Sequence, residues 1–235
     1  MEFKRIASPS LKKLFVSQIE HMILSGELTP EDQLPSEREL ADLMGVSRPV
    51  VNAGILEMAA KGFLEIRPRK GVFVCDYRRT GSLETLISIM EYHGGLLPRR
   101  EVRSLLEIHL AILELSLRKS FETLSDKDVS ELKRRLDALE TGATPQETAE
   151  RCYEFDHELN CLSGNSISPL LTHSFKQPCV ALWAEYGRRH GIELLKEHRR
   201  TLWEHARDRD RDAAIAHLHQ VFDDALEGSR QIYRD

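Results

Sequence analysis

Residues 35–74 read PSERELADLMGVSRPVVNAGILEMAAKGFLEIRPRKGVFV, and no other stretch leaves the chain so few ways to fold. Ser36, followed three residues later by Glu39, makes a capping box at a helix start. Leu40, Leu43 and Met44 give that helix one apolar face. Gly45 ends it, because a left-handed residue after the last turn costs glycine little. Ser47 is expected to cap a second helix with Pro49 in its first turn, where a missing N–H is tolerated. Val51, Ile55 and Met58 recur at helical spacing and point inward. Gly54 in the same helix costs ~1 kcal/mol relative to alanine, which asks for a close packing partner. Gly62 stops the helix. Two β-like runs follow, Phe63–Ile66 and Val72–Val74, joined by Arg67-Pro68-Arg69-Lys70-Gly71.

Helix, tight turn, helix and basic-tipped hairpin form the layout of a winged helix-turn-helix. In that layout the second helix enters the major groove, with its first residues facing base edges and phosphates. The hairpin tip sets Arg67, Arg69 and Lys70 beside Gly71. Gly71 either lets the backbone approach a ligand or supplies a positive φ for the turn.

Upstream, Leu11, Leu14, Phe15, Ile19, Ile23 and Leu24 predict an amphipathic helix from Ser8 or Ser10 to Leu24, behind a frayed Met1 to Ile6. Downstream of Ser82 every segment reads as helix: a short one ending at Gly94-Gly95, then a long one from Pro98. The long one is apolar on more than one face, so it is expected at the centre of a bundle. Ser125 and Thr144-Pro145 start two more, and Ser166 or Ser168 opens one that runs through Trp183 to Gly191. The last two are expected at 192–208 and 211–233. The expected fold is mostly α. An N-terminal winged helix-turn-helix over 1–76 (three helices and a β-hairpin wing) is followed by a linker at 77–81. An all-α bundle of six or seven helices then fills 82–235.

The net charge of −5 argues against a DNA partner until it is divided. Residues 1–79 carry 12 Lys/Arg against 11 Asp/Glu, and the remainder 21 against 27. The small domain is therefore near neutral with a local basic patch, which binds phosphates in a salt-sensitive way. Cys75, Cys152, Cys161 and Cys179 form no CxxC pair and, without a signal peptide, read as reduced, mostly buried thiols in a cytoplasm. No apolar run reaches membrane-spanning length. No phosphate loop, GxSxG, HExxH or dinucleotide fingerprint is present.

PSERELADLMGVSR, the helix after it and the wing RPRKGVFV resemble the DNA-binding half of GntR-type bacterial regulators. FDHELNCLSGNSISPLL, KEHRRTLWEHARDRDRDAAIAHL and LLEIHLAILE resemble the effector domain of the FadR branch. The resemblance implies DNA contacts from Arg38, Ser47, Arg48, Pro49, Asn52, Arg67, Arg69, Lys70 and Gly71. Asn52-Ala53 departs from the family's usual Arg-Glu. Asparagine pairs bidentately with adenine where arginine prefers guanine, so the operator is expected to differ. The resemblance further implies a homodimer on a double-stranded, palindromic operator, with repression as the default.

It also implies a small-molecule effector, a carboxylate or a fatty acyl-CoA, on a wall formed by His109, Asp156, Asn165 and His198. The helix after Gly81 and the turn at Ser163 to Leu171 resemble the acyl-CoA branch most. His109 stands where relatives carry arginine, and its titration near pH 6–7 would make binding pH-dependent. Many relatives hold a divalent cation in the bundle. Here Cys152, Asp156, His198 and His219 fall at or near those positions as candidate zinc ligands. The favoured expectation is that no metal or other cofactor is required. The alternative is an enzyme or metal-binding helical domain fused to a DNA-binding module. Asp156-His157 adjacency does not supply a catalytic pair, because neighbouring helix residues point apart.

Overall fold

The computed structural model describes residues 9–232, so the expected frayed start at Met1 to Ile6 lies outside them. The chain forms two compact units, Met1–Gly94 and Gly95–Asp235. Among the described residues there are twelve helices and one two-stranded antiparallel sheet.

In the first unit, α1 (Leu11–Ser25) starts where Ser10 Oγ accepts the Lys13 N–H at 3.2 Å. In α2 (Glu37–Met44) the Ser36–Glu39 capping box is formed at both ends. Helix α3 (Arg48–Ala60) begins at Ser47 as expected, but the Ser47 side chain makes no capping hydrogen bond, so the expected cap is positional only. Val51, Ile55 and Met58 are at most 1% exposed, against Phe15, Val16 and Ile19 of α1. Each such side chain contributes about 1.5–3 kcal/mol of transfer free energy. A Cβ at Gly54 would stand 2.3 Å from Phe15 Cδ1, so the α1–α3 contact is what requires that glycine.

Strands β1 (Leu64–Arg67) and β2 (Gly71–Val74) pair with Arg67 opposite Gly71. The loop before α2 runs along β2. Glu31 N–H donates to Val74 O, Val74 N–H to Asp32 O, and Leu34 N–H to Val72 O, each at 2.9 Å. This extra edge pairing braces a wing that two short strands alone would leave marginal.

Residues expected to be a linker instead form α4 (Tyr77–Thr80), and α5 (Leu83–Tyr92) packs on α1. By packing, the chain divides after Gly94 rather than at 77–81. Side-chain hydroxyls hold this segment in the first unit. Thr80 Oγ1 donates to Gly62 O at 2.8 Å, and Thr85 Oγ1 donates to Lys61 O at 2.5 Å.

The second unit contains α6 (Arg99–Thr123), α7 (Asp126–Glu140), α8 (Pro145–Leu162), α9 (Ser168–Ser174), α10 (Lys176–His190), α11 (Ile192–Arg207) and α12 (Arg211–Leu226). The central helix is α8, packed by α6, α7, α10 and α11, rather than the long α6. Helix α6 leaves Ile108 and Leu115 exposed, at 52% and 43%. Helix α8 reads as polar because its buried Asp156 and Asn160 are satisfied internally. Ser116 and Ser168 both donate to Asn160 Oδ1 at 2.7 Å. The single helix expected from Ser168 to Gly191 is two, divided at Phe175. Pro178 has no N–H to continue the ladder into α9, so the axis breaks there. Helix α12 stops at Leu226, short of the expected 233.

Candidate nucleic-acid interface and effector pocket

The exposed start of α3 presents Ser47, Arg48, Pro49 and Asn52 on one side of the helix-turn-helix, and Arg38 is exposed on α2. Among the described residues, Arg38, Arg48, Arg69 and Lys70 form no side-chain ion pair or hydrogen bond within the protein. Cations left unpaired on an exposed surface are available to phosphates or base edges. Arg67 differs. It meets both Glu31 oxygens, at 2.8 and 3.0 Å, and Glu65 at 2.7 Å, and its guanidinium lies 4.5 Å over the Phe73 ring. The hydrogen bonds it donates to Glu31 and then Glu65 raise its pKa further. Arg67, expected among the DNA contacts, instead has its guanidinium engaged within the protein as a brace between β1 and the loop before α2. Nothing within a few residues of Arg67 in sequence signals Glu31.

The wing tip is a turn closed by Lys70 N–H donating to Arg67 O at 3.0 Å. Pro68 at its second position and Arg69 at its third, with φ +65°, give it the arrangement of a type II turn. Glycine or asparagine usually takes that third position. Gly71 has φ +122°, and a Cβ there would stand 2.6 Å from Gln33 Nε2. Gln33 Nε2 in turn donates to Lys70 O at 2.7 Å, so Gly71 makes room for the side chain that pins the tip.

Inside the second unit, Asp156 on α8 and Arg199 on α11 form a buried bidentate pair. Arg199 Nη2 donates to Oδ2 at 2.6 Å and Nε to Oδ1 at 3.2 Å, with the two residues 3% and 1% exposed. The guanidinium lies 5.0 Å over Trp183. A cavity of about 10 Å³, room for about one water, is lined by Asp156, His198, Arg199, Leu113, Leu202 and Phe222. Outside it, an open cleft of about 990 Å³ shares His198 and His217 and adds His219, Asp223, Asp224 and Arg230.

His109 packs against Phe222 with ring centroids 5.8 Å apart, and its Nδ1 lies 3.9 Å from Cys179 Sγ. Its Nε2 has no partner, and neither has Nε2 of His198. Burial pushes His109 down to about 4, with Arg199 acting the same way against Asp156. Burial, then Arg199, pushes His198 down to about 3. Both rings are neutral at pH 6–7, which corrects the expectation that His109 titrates there.

The structure thus brings Asp156 and His198 to one cavity and sets His109 behind Phe222. It does not bring Asn165 to them. Asn165 Oδ1 accepts the N–H groups of Ile167 and Ser168 at 2.9 and 3.1 Å, so this side chain builds the turn before α9. Arg199 was not anticipated from the sequence, because its partner lies 43 residues away.

The candidate zinc ligands do not fit a divalent cation. Arg199 already occupies both oxygens of Asp156. Burial pushes the Cys152 thiol up to about 12, disfavouring the thiolate a metal needs. His219 Nε2 is 2.8 Å from Glu114 Oε2. No group of three or more His, Cys, Asp or Glu among the described residues is placed to hold a metal. Of the four thiols, Cys152 and Cys179 are buried as expected, whereas Cys161 is exposed and Cys75 half-buried.

Residues 13–74 match the family described as "Bacterial regulatory proteins, gntR family". The chain is 30% identical over 181 residues to the HTH-type transcriptional regulator Mce2R of Mycobacterium tuberculosis, covering 75% of this chain and 73% of that protein. The chain belongs to the GntR family.

It is 29% identical over 166 residues to the fatty acid metabolism regulator protein of Shewanella pealeana, covering 71% of this chain and 66% of that one. It also shares its fold with the structure of Lar, described as controlling expression of the Listeria monocytogenes agr system. That match has a TM-score of 0.65 at 16% identity, over 94% and 97% of the two chains. This GntR-family chain is thus a DNA-binding transcription regulator with a winged helix-turn-helix and a helical domain of the FadR type. No described helix is long and apolar enough to cross a membrane.

Proposed function

We propose that the chain acts as a repressor that binds a palindromic operator as a homodimer and is released by a small organic anion. The observation that carries the DNA half is the set of unpaired cations, Arg38, Arg48, Arg69 and Lys70, on α2, α3 and the wing. Each protomer places α3 in a major groove, with Arg48 on a base edge and Arg69 and Lys70 on phosphates. Two copies of one reading helix call for two-fold symmetry in the DNA.

The effector half rests on the helical unit. Beside the neutral Asp156–Arg199 pair, His109 Nε2 and His198 Nε2 stand without partners and offer hydrogen-bonding capacity in an otherwise apolar interior. Such groups are costly to bury unless something partners them. A carboxylate or the acidic part of an acyl-CoA has the chemistry to do so, and fatty acid metabolism regulators are among the relatives. A cavity of about 10 Å³ does not admit an acyl chain, so binding requires side chains such as Phe222 and Leu202 to move. An effector loosens DNA only as far as its affinity differs between the two protein states.

Two measurements test this reading. Binding sites are selected from random duplexes and titrated by fluorescence anisotropy, while light scattering gives the stoichiometry. A thermal-shift screen of organic acids and acyl-CoAs then seeks a ligand that raises Tm and releases the operator. A monomer on a non-repeated site, or a stabilising ligand that leaves DNA affinity unchanged, overturns the corresponding half.

A further inference from the structure

One side chain on α3 has its orientation set by a neighbouring helix. Asn52 is exposed, and its Nδ2 donates to Glu37 Oε1 at 3.0 Å. Glu37 is half-buried in the first turn of α2. An ionised carboxylate only accepts hydrogen bonds, so the end of the amide that meets it is the NH2 group. This removes the usual ambiguity in how an asparagine amide lies. Oδ1 then faces away from Glu37, and Nδ2 retains a second hydrogen.

We propose that Glu37 is a positioning residue for base readout: by fixing the Asn52 amide, it makes the base pair beneath Asn52 adenine-specific. The inference rests on the reading of α3 as the helix that enters the major groove. Adenine presents the N6 amino group beside the N7 acceptor, a match for Oδ1 and the remaining N–H. Cytosine presents the N4 amino group alone and ranks second. Guanine presents two acceptors, and thymine one acceptor and a methyl group. Both would set acceptors against Oδ1 and against the Glu37 carboxylate.

Without Glu37 the amide turns over at little cost, and its NH2 group serves guanine as readily as its oxygen serves adenine. Glu37 also sets a negative charge near phosphates, which weakens binding to every sequence. Removing that charge therefore moves affinity and discrimination in opposite directions. A residue that merely held the fold would lower both together.

The test uses the full chain. Binding sites selected from random duplexes identify the position whose preference disappears in Asn52→Ala, and affinities are then measured for all four bases there. The wild type is expected to prefer adenine over guanine by about tenfold or more. Glu37→Gln is expected to bind every variant at least as tightly while the adenine-to-guanine ratio falls towards one. Circular dichroism and Tm of this variant verify that it is folded. Selection of guanine or thymine by the wild type, or an unchanged ratio in Glu37→Gln, overturns the proposal. An operator that depends on Arg48 but shows no preference under Asn52 sinks the Glu37 role alone. No enriched site at all removes the reading of α3 and this inference with it.

Discussion

Lys61, the residue that ends the recognition helix, donates to Glu20 Oε1 on α1 at 2.8 Å, and the Ser88 hydroxyl of α5 reaches the same oxygen at 2.7 Å. Burial by itself would lower the Lys61 pKa; Glu20 and Glu57 outweigh it and raise the pKa above the usual lysine value. Three helices therefore share one largely dry ion pair, with Glu20 8% exposed. Lys61→Met leaves Glu20 without its cation. The expected cost is about 2 kcal/mol, below the ~3–5 of a fully buried pair because water still reaches the ammonium. Ser88→Ala is expected to cost about 1 kcal/mol. Urea denaturation measures both.

A larger penalty is expected at Asp156→Asn, which strands the Arg199 charge in the bundle. About 3–5 kcal/mol should be lost. The paired replacement Asp156→Leu with Arg199→Met should recover much of it, because no charge then remains buried. Denaturation of the single and double variants decides this; equal losses in both would mean the salt bridge is not the source of the cost.

Stability should depend on pH below neutrality through His109. Its folded pKa is about 4, below the ordinary value of 6.5, so the unfolded chain binds the proton first. The contribution is present in full above pH 6.5 and is lost as pH falls from there to about 4. One histidine over that range accounts for roughly 3 kcal/mol. His109→Leu should reduce the slope of the stability profile between pH 4.5 and 6.5, leaving the share that His198 contributes over the same range. An unchanged slope in that variant would place the proton elsewhere.

Arg69 and Arg67 should separate by function. Arg69 holds φ +65°, a conformation that costs a residue other than glycine roughly 1–2 kcal/mol. Arg69→Gly should therefore raise stability by about 1 kcal/mol and weaken DNA binding. The slope of log affinity against log salt should shrink by roughly 0.9 if one phosphate contact is lost. Arg67→Ala should leave that slope unchanged and lower Tm, because Arg67 already spends its guanidinium on Glu31 and Glu65. Salt titrations and melting curves of the two variants distinguish them.

These residues also mark how far local sequence reaches. The capping box at Ser36 and Glu39, the stop at Gly45 and the crowding at Gly54 depend on neighbours a few residues away or on one apolar stripe, and each was legible. The centre of the bundle was not. Hydrophobic periodicity favours α6, whereas α8 is central because Asp156 and Asn160 find partners at Arg199 and Ser116, more than forty residues away, as well as at Ser168. Arg67 misled for the same reason, whereas Asn165 is engaged by the backbone two and three residues on. A cation at a wing tip and an amide in a turn look available until Glu31, or the N–H groups of Ile167 and Ser168, are seen to engage them.

The hydroxyls of Thr80 and Thr85 close onto the carbonyls of Gly62 and Lys61, so the segment after the wing finishes the recognition helix as well as leading away from it. This sets where the protein can be cut and rejoined. A hybrid that fuses a foreign sensor at residue 77 would discard both threonines and Ser88, leaving the end of α3 frayed and the Glu20–Lys61 pair open to water. A fusion after Tyr92 keeps all three, and the transplanted DNA-binding module should then retain the melting behaviour and operator choice of its parent.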